Sequence, residues 1–211
     1  RDVSRHKPIV AVKSGRSSSG QRAAASHTGA LLSGSDTTVD ALFQQSGVIR
    51  TDTLAEMFGV ASLLSSQPLP GGSRVGVITN AGGPGILCAD ALEAMDVSVP
   101  ELSSRTQEAI GAFLPPHAGV SNPVDLIASA TAEHYQKAVE QALDDDQVDS
   151  LIVINIPIAD PADVVYHAVD QGIEQAGRSK PVVFVSMTTS DANRDLRAHD
   201  LSVPVFTYPE A

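Results

Sequence analysis

The residue best suited to covalent chemistry in this sequence is His27. A neutral imidazole attacks phosphorus readily, and its pKa leaves it unprotonated near neutral pH. A histidine that carries phosphate needs small neighbours so that two reaction partners can reach it in turn. The flanking residues meet that need: Ser26, Thr28, Gly29 and Ala30. The competing interpretation is a structural loop histidine, which is commoner for an isolated histidine. These surroundings favour a phosphate carrier, with Ser26, Thr28 and Gly29 as its support.

Residues 14–30 around His27 are small, polar and rich in glycine. They follow the apolar run Ile9–Val12, so they are predicted to lie at the carboxyl end of a buried strand, where open α/β sheets bind ligands. We expect a mobile loop that approaches a ligand closely. Gly15 and Gly20 have the spacing of a Walker phosphate loop. However, Gln21-Arg22 stands where that loop needs Lys-Ser/Thr, so the assignment is excluded.

A second candidate site is the glycine turn at residues 79–86, which follows the apolar run Arg74–Thr79 and opens a predicted helix. Unpaired backbone N–H groups at a helix N-terminus bind anions, and glycines let a phosphate reach them. The glycine spacing is not that of a dinucleotide-binding loop, and the alternative is a simple tight turn. The candidate phosphate-binding residues are Asn80, Ala81, Gly82, Gly83 and Gly85.

A third candidate is the segment 121–125, which contains Asn122 and Asp125 as possible substrate-site residues. Asp125 either orients a substrate or holds a loop by hydrogen bonds, and the two interpretations stay open. Cys88 lies on a predicted helix and is expected to be a buried, inert thiol. The remaining histidines are scattered without the spacing of metal ligands, so no metal site is predicted.

Short continuous apolar runs alternate with helical patterns along the chain. Such runs are typical of strands covered on both faces, and the alternation predicts a doubly wound parallel α/β sheet. Helix signals include the capping box Thr53-x-x-Glu56, a helix start at Asp160-Pro161 and a helix over about 131–143. The acidic run 144–146 after that helix is predicted to be a solvated turn. The strand runs are Ile9–Val12, Arg74–Thr79, Leu151–Ile156 and Val182–Val185.

Two regions are predicted, separated by a Pro/Gly-rich linker at residues 67–73. Residues 74–211 hold a full set of strand–helix units and form one complete domain. The run at residues 7–12 matches the run at residues 180–185, so residues 1–66 resemble the closing half of a second such domain. Two strands cannot make a covered sheet alone, so we expect the other half to come from elsewhere.

Composition narrows the class of protein further. The chain has 211 residues, 42% of them hydrophobic and 18% charged, with a formal net charge of −11. The negative charge argues against nucleic-acid binding, and no apolar run reaches the roughly 18 residues that a membrane span needs. A single cysteine and no visible signal peptide predict a cytoplasmic location. The first residue is Arg rather than Met, which suggests a fragment.

Several motifs, in order and over essentially the whole chain, resemble the ADP-forming acyl-CoA synthetases, which are relatives of succinyl-CoA synthetase. The first lies at residues 7–16, the second at 24–30 and the third at 34–36. The glycine turn within Val75–Gly85 and the run Asn122–Leu126 continue the match. The combination is specific, although each motif alone is weak.

The resemblance implies that His27 is phosphorylated by ATP and passes the phosphate to a small carboxylic acid, whose acyl phosphate then reacts with CoA in a reversible sequence. It implies two flavodoxin-like domains, with residues 1–66 carrying the phosphohistidine and residues 74–211 forming a CoA-ligase domain. CoA, ATP/ADP and Mg²⁺ would be bound mainly by CoA-binding and ATP-grasp domains in the same polypeptide or another subunit. We therefore expect this piece to be inactive alone and to work within an oligomer.

Two other functions remain open from the sequence. Similar domains are fused to protein acetyltransferases, where they resemble acyl-CoA-sensing regulatory domains without catalysis. The presence of His27 argues against that alternative, since a pure sensor needs no nucleophile. A purely structural interaction domain is also compatible with the composition, but it leaves both glycine-rich segments unexplained.

Overall fold

The computed structural model describes residues 2–28, 36–188 and 203–209. The chain forms two compact units, Arg1–Ser65 and Ser66–Ala211. None of the helices in the described ranges has the length and apolar character that a membrane crossing needs.

The first unit contains one pair of parallel strands with helices around it. Strands β1 and β2 run side by side, with Ile9 opposite Val48 and Val12 opposite Thr51. Among the described residues of this unit, no hydrophobic side chain is fully buried. Its elements are a 3₁₀ turn Val3–Arg5, β1 Ile9–Val12, α1 Ser18–Thr28, α2 Asp36–Ser46, β2 Val48–Thr51 and α3 Leu54–Ser66.

The second unit is a five-stranded sheet in which every neighbouring pair is parallel. Its elements are β3 Val75–Thr79, α4 Gly82–Ala94, α5 Ser104–Gly111, β4 Val124–Asp125, α6 Ala132–Leu143, β5 Ser150–Asn155, α7 Ala162–Gln175, β6 Val182–Ser186 and β7 Val205–Phe206. The order β4-β3-β5-β6-β7 is the flavodoxin-like one, with its switch point between β3 and β5. The predicted α/β class with doubly wound parallel sheets is confirmed.

Apolar cores lie on both faces of this sheet, which explains why its strands are continuous apolar runs. On one face, side chains of β3, β5 and β6 pack with α5, α6 and α7, around the fully buried Tyr135 and Phe184. On the other face, Val77, Ile154 and Cys88 of α4 form a smaller cluster. Cys88 is fully buried, as predicted.

Two predictions, one for the cap of α7 and one for the acidic run after α6, need correction. Asp160 does not cap α7, whose N-cap is Pro161; its Oδ2 accepts from the Ala132 N–H at 2.8 Å and so caps α6. The acidic run 144–146 is not simply solvated, because Asp145 is 2% exposed and accepts from the N–H groups of Ser103 and Gln147.

The capping box at the start of α3 is only half formed. Thr53 Oγ1 accepts from the Glu56 N–H at 3.1 Å, as that motif requires. The Glu56 carboxylate, however, accepts from the N–H of Asp52 at 2.8 Å, one residue earlier than the motif places it. The N–H groups of Asp52 and Glu56 at this helix start therefore both have a side-chain acceptor.

Residues of the predicted linker, and Arg74 directly after it, bond within the second unit. Gln67 Oε1 accepts from the Val182 N–H at 2.9 Å. Arg74 donates to Asp149 through its backbone N–H, Nε and Nη2, at 2.7–3.0 Å. Gly72 lies against the same carboxylate, since a Cβ added there would lie 2.4 Å from Asp149 Oδ2. These contacts fix the entry to β3.

Candidate functional site

The segment around His27 is a helix over most of its length. The predicted loop is confined to residues 13–17, and α1 begins at Ser18. Ser17 Oγ accepts from the Gly20 N–H at 3.1 Å, which caps the helix start. The alanines at 23–25 are strong helix formers and outweigh the local glycine and serine content. The prediction of a mobile loop through residue 30 was therefore wrong for residues 18–28.

The His27 backbone lies in the last turn of α1, which ends at Thr28. Residues 21–26 before it are all exposed. Ser26 Oγ donates to the Ala23 carbonyl oxygen at 2.8 Å, so its hydroxyl bonds within the helix. Gly29, predicted as a further support of His27, lies outside the described residues. The structure thus places the candidate nucleophile near the end of an exposed helix.

An ion-pair network that the sequence analysis did not identify lies at the start of α2. Arg50 donates to Asp36 at 2.6 Å and also pairs with Asp40. Arg16 approaches Asp36 at 3.5 Å and Asp52 at 2.6 Å. The hydrogen bond from Arg50 lowers the pKa of Asp36. The sequence held one signal for this network, since basic Arg16 lies shortly after β1 and acidic Asp52 directly after β2.

The glycine turn in the second unit leaves two backbone donors open. Ala81 is the N-cap of α4, and its N–H donates to Thr79 Oγ1 at 3.0 Å. Pro84 has no N–H, and the Gly85 N–H donates to the Ala81 carbonyl oxygen at 3.4 Å. The N–H groups of Gly82 and Gly83 have no acceptor among the described residues. Two donors at the positive end of a helix dipole therefore remain for an anion.

The glycines of this turn have different roles. A Cβ at Gly85 would lie 3.0 Å from Thr79 Cγ2, so this glycine allows the helix to pack on the strand end. A Cβ at Gly83 would meet nothing within 4 Å, so the space beside that residue is open. Gly82 is intermediate, since a Cβ there would lie 3.1 Å from Asp125 Oδ2.

Asn80, predicted as a phosphate-binding residue, is committed to a structural contact. Its side chain is 2% exposed, and its carboxamide accepts from the Ile156 N–H at 3.0 Å and donates to the Ile156 carbonyl oxygen at 2.7 Å. It thus ties the end of β3 to the end of β5. Asn80 and Ala81 hold the shape of the turn, and the N–H groups of Gly82 and Gly83 are its open donors.

The two possible substrate-site residues also differ. Asn122 bonds the backbone of Val75, Val77 and Pro100 at 2.8–2.9 Å, so its carboxamide is fully used in holding the strand edge. Asp125 Oδ1 accepts from the Ile127 N–H at 2.9 Å, while its Oδ2 lies beside Gly82. The structure therefore brings Asp125, and not the Asn122 side chain, next to the open donors.

A buried polar pair supports this edge of the sheet. Tyr135 donates to the Ile154 carbonyl oxygen at 3.0 Å and accepts from Asn155 Nδ2 at 3.2 Å. Burial raises the pKa of Tyr135 and keeps its hydroxyl neutral. Within the described ranges, no group of three or more His, Cys, Asp or Glu side chains is arranged to hold a metal ion.

Comparison with known families assigns both parts of the chain. Residues 1–64 match the family described as the succinyl-CoA ligase like flavodoxin domain. Residues 75–209 match the Ligase-CoA domain. The two matches follow the same order as the two units.

The chain is similar to known ligases over nearly its full length. It is 40% identical to the alpha subunit of acetate–CoA ligase [ADP-forming] II of Pyrococcus furiosus, covering 99% of this chain and 46% of that protein. It is 36% identical to 4-hydroxybutyrate–CoA ligase [ADP-forming] of Nitrosopumilus maritimus, covering 97% and 29% respectively. The chain thus spans less than half the length of these curated relatives.

A solved structure shares the fold. The chain matches a dinucleotide-forming acetyl-coenzyme A synthetase 1 of Ca. Korarchaeum cryptofilum, in complex with phosphate and ADP, with a TM-score of 0.90 at 30% identity. The match covers 99% of this chain and 45% of that one.

Proposed function

The chain belongs to the Ligase-CoA domain family, and from that membership we propose that it is part of an ADP-forming acyl-CoA synthetase. The reaction joins a small carboxylic acid to CoA at the expense of ATP, releases ADP and phosphate, and is reversible. The observation that carries this proposal is the similarity over 97–99% of the chain to relatives that are named ADP-forming ligases.

The proposal includes a division of labour between domains. Residues 1–66 form the C-terminal half of a flavodoxin-like domain, residues 67–73 a linker, and residues 74–211 a second such domain. In support, the first unit has only one strand pair and no fully buried hydrophobic side chain in its described part. ATP-grasp and CoA-binding domains, in the same polypeptide or another subunit, would hold the nucleotide, Mg²⁺ and CoA.

His27 is the phosphate carrier in this proposal. An imidazole nitrogen attacks the γ-phosphorus of ATP, and the bond to ADP breaks. The carboxylate of the acid then attacks the same phosphorus, which releases His27 and forms an acyl phosphate. The CoA thiolate finally attacks the acyl carbon and displaces phosphate. Exposure of α1 up to residue 26 supports this role, because separate reaction partners must reach the histidine.

The glycine turn supplies the phosphate-binding donors. The N–H groups of Gly82 and Gly83 and the dipole of α4 stabilise the charge on a transferring phosphoryl group without a fixed cation. Asp125 lies at the same turn, where its negative charge limits how closely an anion settles beside Gly82. We assign Asp125 to orienting the turn through its contact with Ile127.

The test is to incubate the complete enzyme with ATP labelled in its γ-phosphate, in three forms: wild type, His27→Asn and His6→Asn. The last is the control, because His6 is an exposed histidine of the same unit. We expect an acid-labile label on the peptide that contains His27, retained in His6→Asn and lost in His27→Asn along with acyl-CoA formation. Label on another residue would refute the role of His27. Binding of acyl-CoA without any turnover would instead favour the regulatory alternative.

A further inference from the structure

Arg50 is an unusual residue for its position. It lies on β2 in the unit with no fully buried hydrophobic side chain in its described part, yet its own side chain is only 9% exposed. Its guanidinium donates to Asp36 and Asp40 in the first two turns of α2. One buried cation thus fixes the place at which α2 begins.

Arg16 extends the same network to the loop after β1. Its Nη2 lies 2.6 Å from Asp52 Oδ1, just after β2, and its Nε lies 3.5 Å from Asp36 Oδ2. The loop that leads into α1, the end of β2 and the start of α2 are therefore joined through Arg16 and Asp36. His27 lies in the last turn of α1, nine positions before Asp36.

Stability alone does not explain this arrangement. The Arg50 side chain is 9% exposed, whereas Asp36 and Asp40 are 34% and 48% exposed. Ion pairs with such exposed carboxylates contribute little stability, and taking a charge out of water costs free energy that the pairing often fails to recover. What an ion pair adds is a fixed geometry, because a guanidinium donates hydrogen bonds to carboxylates only in defined directions. The network therefore holds the loop before α1 and the start of α2 to the end of β2.

We propose that Arg50 and Arg16, with Asp36 and Asp40, position α1, the helix that presents His27 for phosphoryl transfer. This inference rests on the proposed function. Arg50 touches no reacting atom; it acts on α1 through Asp36, which also pairs with Arg16. Loss of the network should therefore reduce the rate of phosphoryl transfer to His27 more than it reduces the stability of the fold.

The test removes the charges together, so that no unpaired buried charge remains: Arg50→Met with Asp36→Asn and Asp40→Asn. The control is Arg105→Met with Asp144→Asn, an exposed ion pair of the second unit. In the complete enzyme we expect the rate of His27 phosphorylation at saturating ATP to fall about 10- to 100-fold, since small misplacements of a reacting group cost that much. The KM for ATP and the melting temperature should stay close to wild type. The phosphorylation rate of Arg50→Lys should lie between those of the wild type and the triple variant, because lysine keeps the positive charge but lacks the planar guanidinium.

The outcomes separate the two proposals. A folded triple variant with the wild-type phosphorylation rate would overturn the positioning role and leave the proposed function intact. A triple variant that loses folding and activity together would also overturn it, because the network would then be a stability element. A wild-type enzyme without label on His27 would overturn the proposed function and this inference with it.

Discussion

Replacing Gly82 by proline removes one of the two open donors at the glycine turn and changes little else. Gly82 is the first residue of α4, the helix position at which proline is most favourable. The preceding residue, Ala81, has φ −147° and ψ 117°, an extended conformation that a following proline requires. The variant therefore deletes an N–H group while the helix start keeps its backbone geometry.

The expected loss follows from the value of a hydrogen bond to a charged group, about 1.5–3 kcal/mol. That range corresponds to a reduction of roughly 10- to 150-fold in the rate of phosphoryl transfer, at about 1.4 kcal/mol for each factor of ten. The assay is the rate of labelling of the complete enzyme by ATP labelled in its γ-phosphate. Thermal unfolding, measured in parallel, should change little.

Two alanine variants control for the side-chain atoms. Gly82→Ala places a Cβ 3.1 Å from Asp125 Oδ2, as proline does, but it keeps the N–H. Gly83→Ala places a Cβ in open space and also keeps its N–H. Both should retain activity within a few-fold of wild type. Equal losses in Gly82→Pro and Gly82→Ala would show that crowding at Asp125, and not the lost donor, causes the effect, and the reasoning about the turn would be refuted.

Two further predictions concern stability. Gly172→Ala should destabilise the second unit by about 1–3 kcal/mol in denaturant titration, the usual cost of overpacking, because its Cβ would lie 2.5 Å from the Gln136 carbonyl oxygen; an unchanged midpoint would contradict close α6–α7 packing. Hydrogen bonds from Arg74 lower the pKa of Asp149 from 3.8 to about 2. The stability that this pair contributes is therefore complete above about pH 4 and lost as the pH falls towards 2. Asp149→Asn should flatten the acid-unfolding profile in that window, and an unchanged profile would show that the pair contributes nothing.

The sequence predicted the sheet well because its signal is local. Strands covered on both faces need a continuous apolar run, and each such run in the second region became a strand within one residue at each end. The cap assignments show the limit of local signals. Asp160 precedes α7 but caps α6, and its donor at Ala132 is 28 positions away. Only the packing of the two helices decides which N-terminus the carboxylate meets.

The site shows the same limit more strongly. The sequence indicated the glycine turn and His27, because small residues beside a strand end are visible in one short segment. It did not indicate that the partner of Asn80 is Ile156, 76 positions away, or that Arg50 reaches back to Asp36 and Asp40. Near His27, the glycine and serine content led to the prediction of a loop. The alanine run favours a helix, and the structure has a helix there.

The contact of Asn80 also limits where the proposed phosphate would bind in the second unit. In the flavodoxin-like order, the crevice between β3 and β5 is the usual place for a ligand. Here the Asn80 carboxamide spans the ends of those two strands and bonds both the N–H and the carbonyl oxygen of Ile156. A ligand that entered this crevice would have to break both bonds. The open N–H groups of Gly82 and Gly83 lie two and three positions after Asn80, at the start of α4. In the proposed function, a phosphate would therefore bind at the start of α4 without separating the two strand ends.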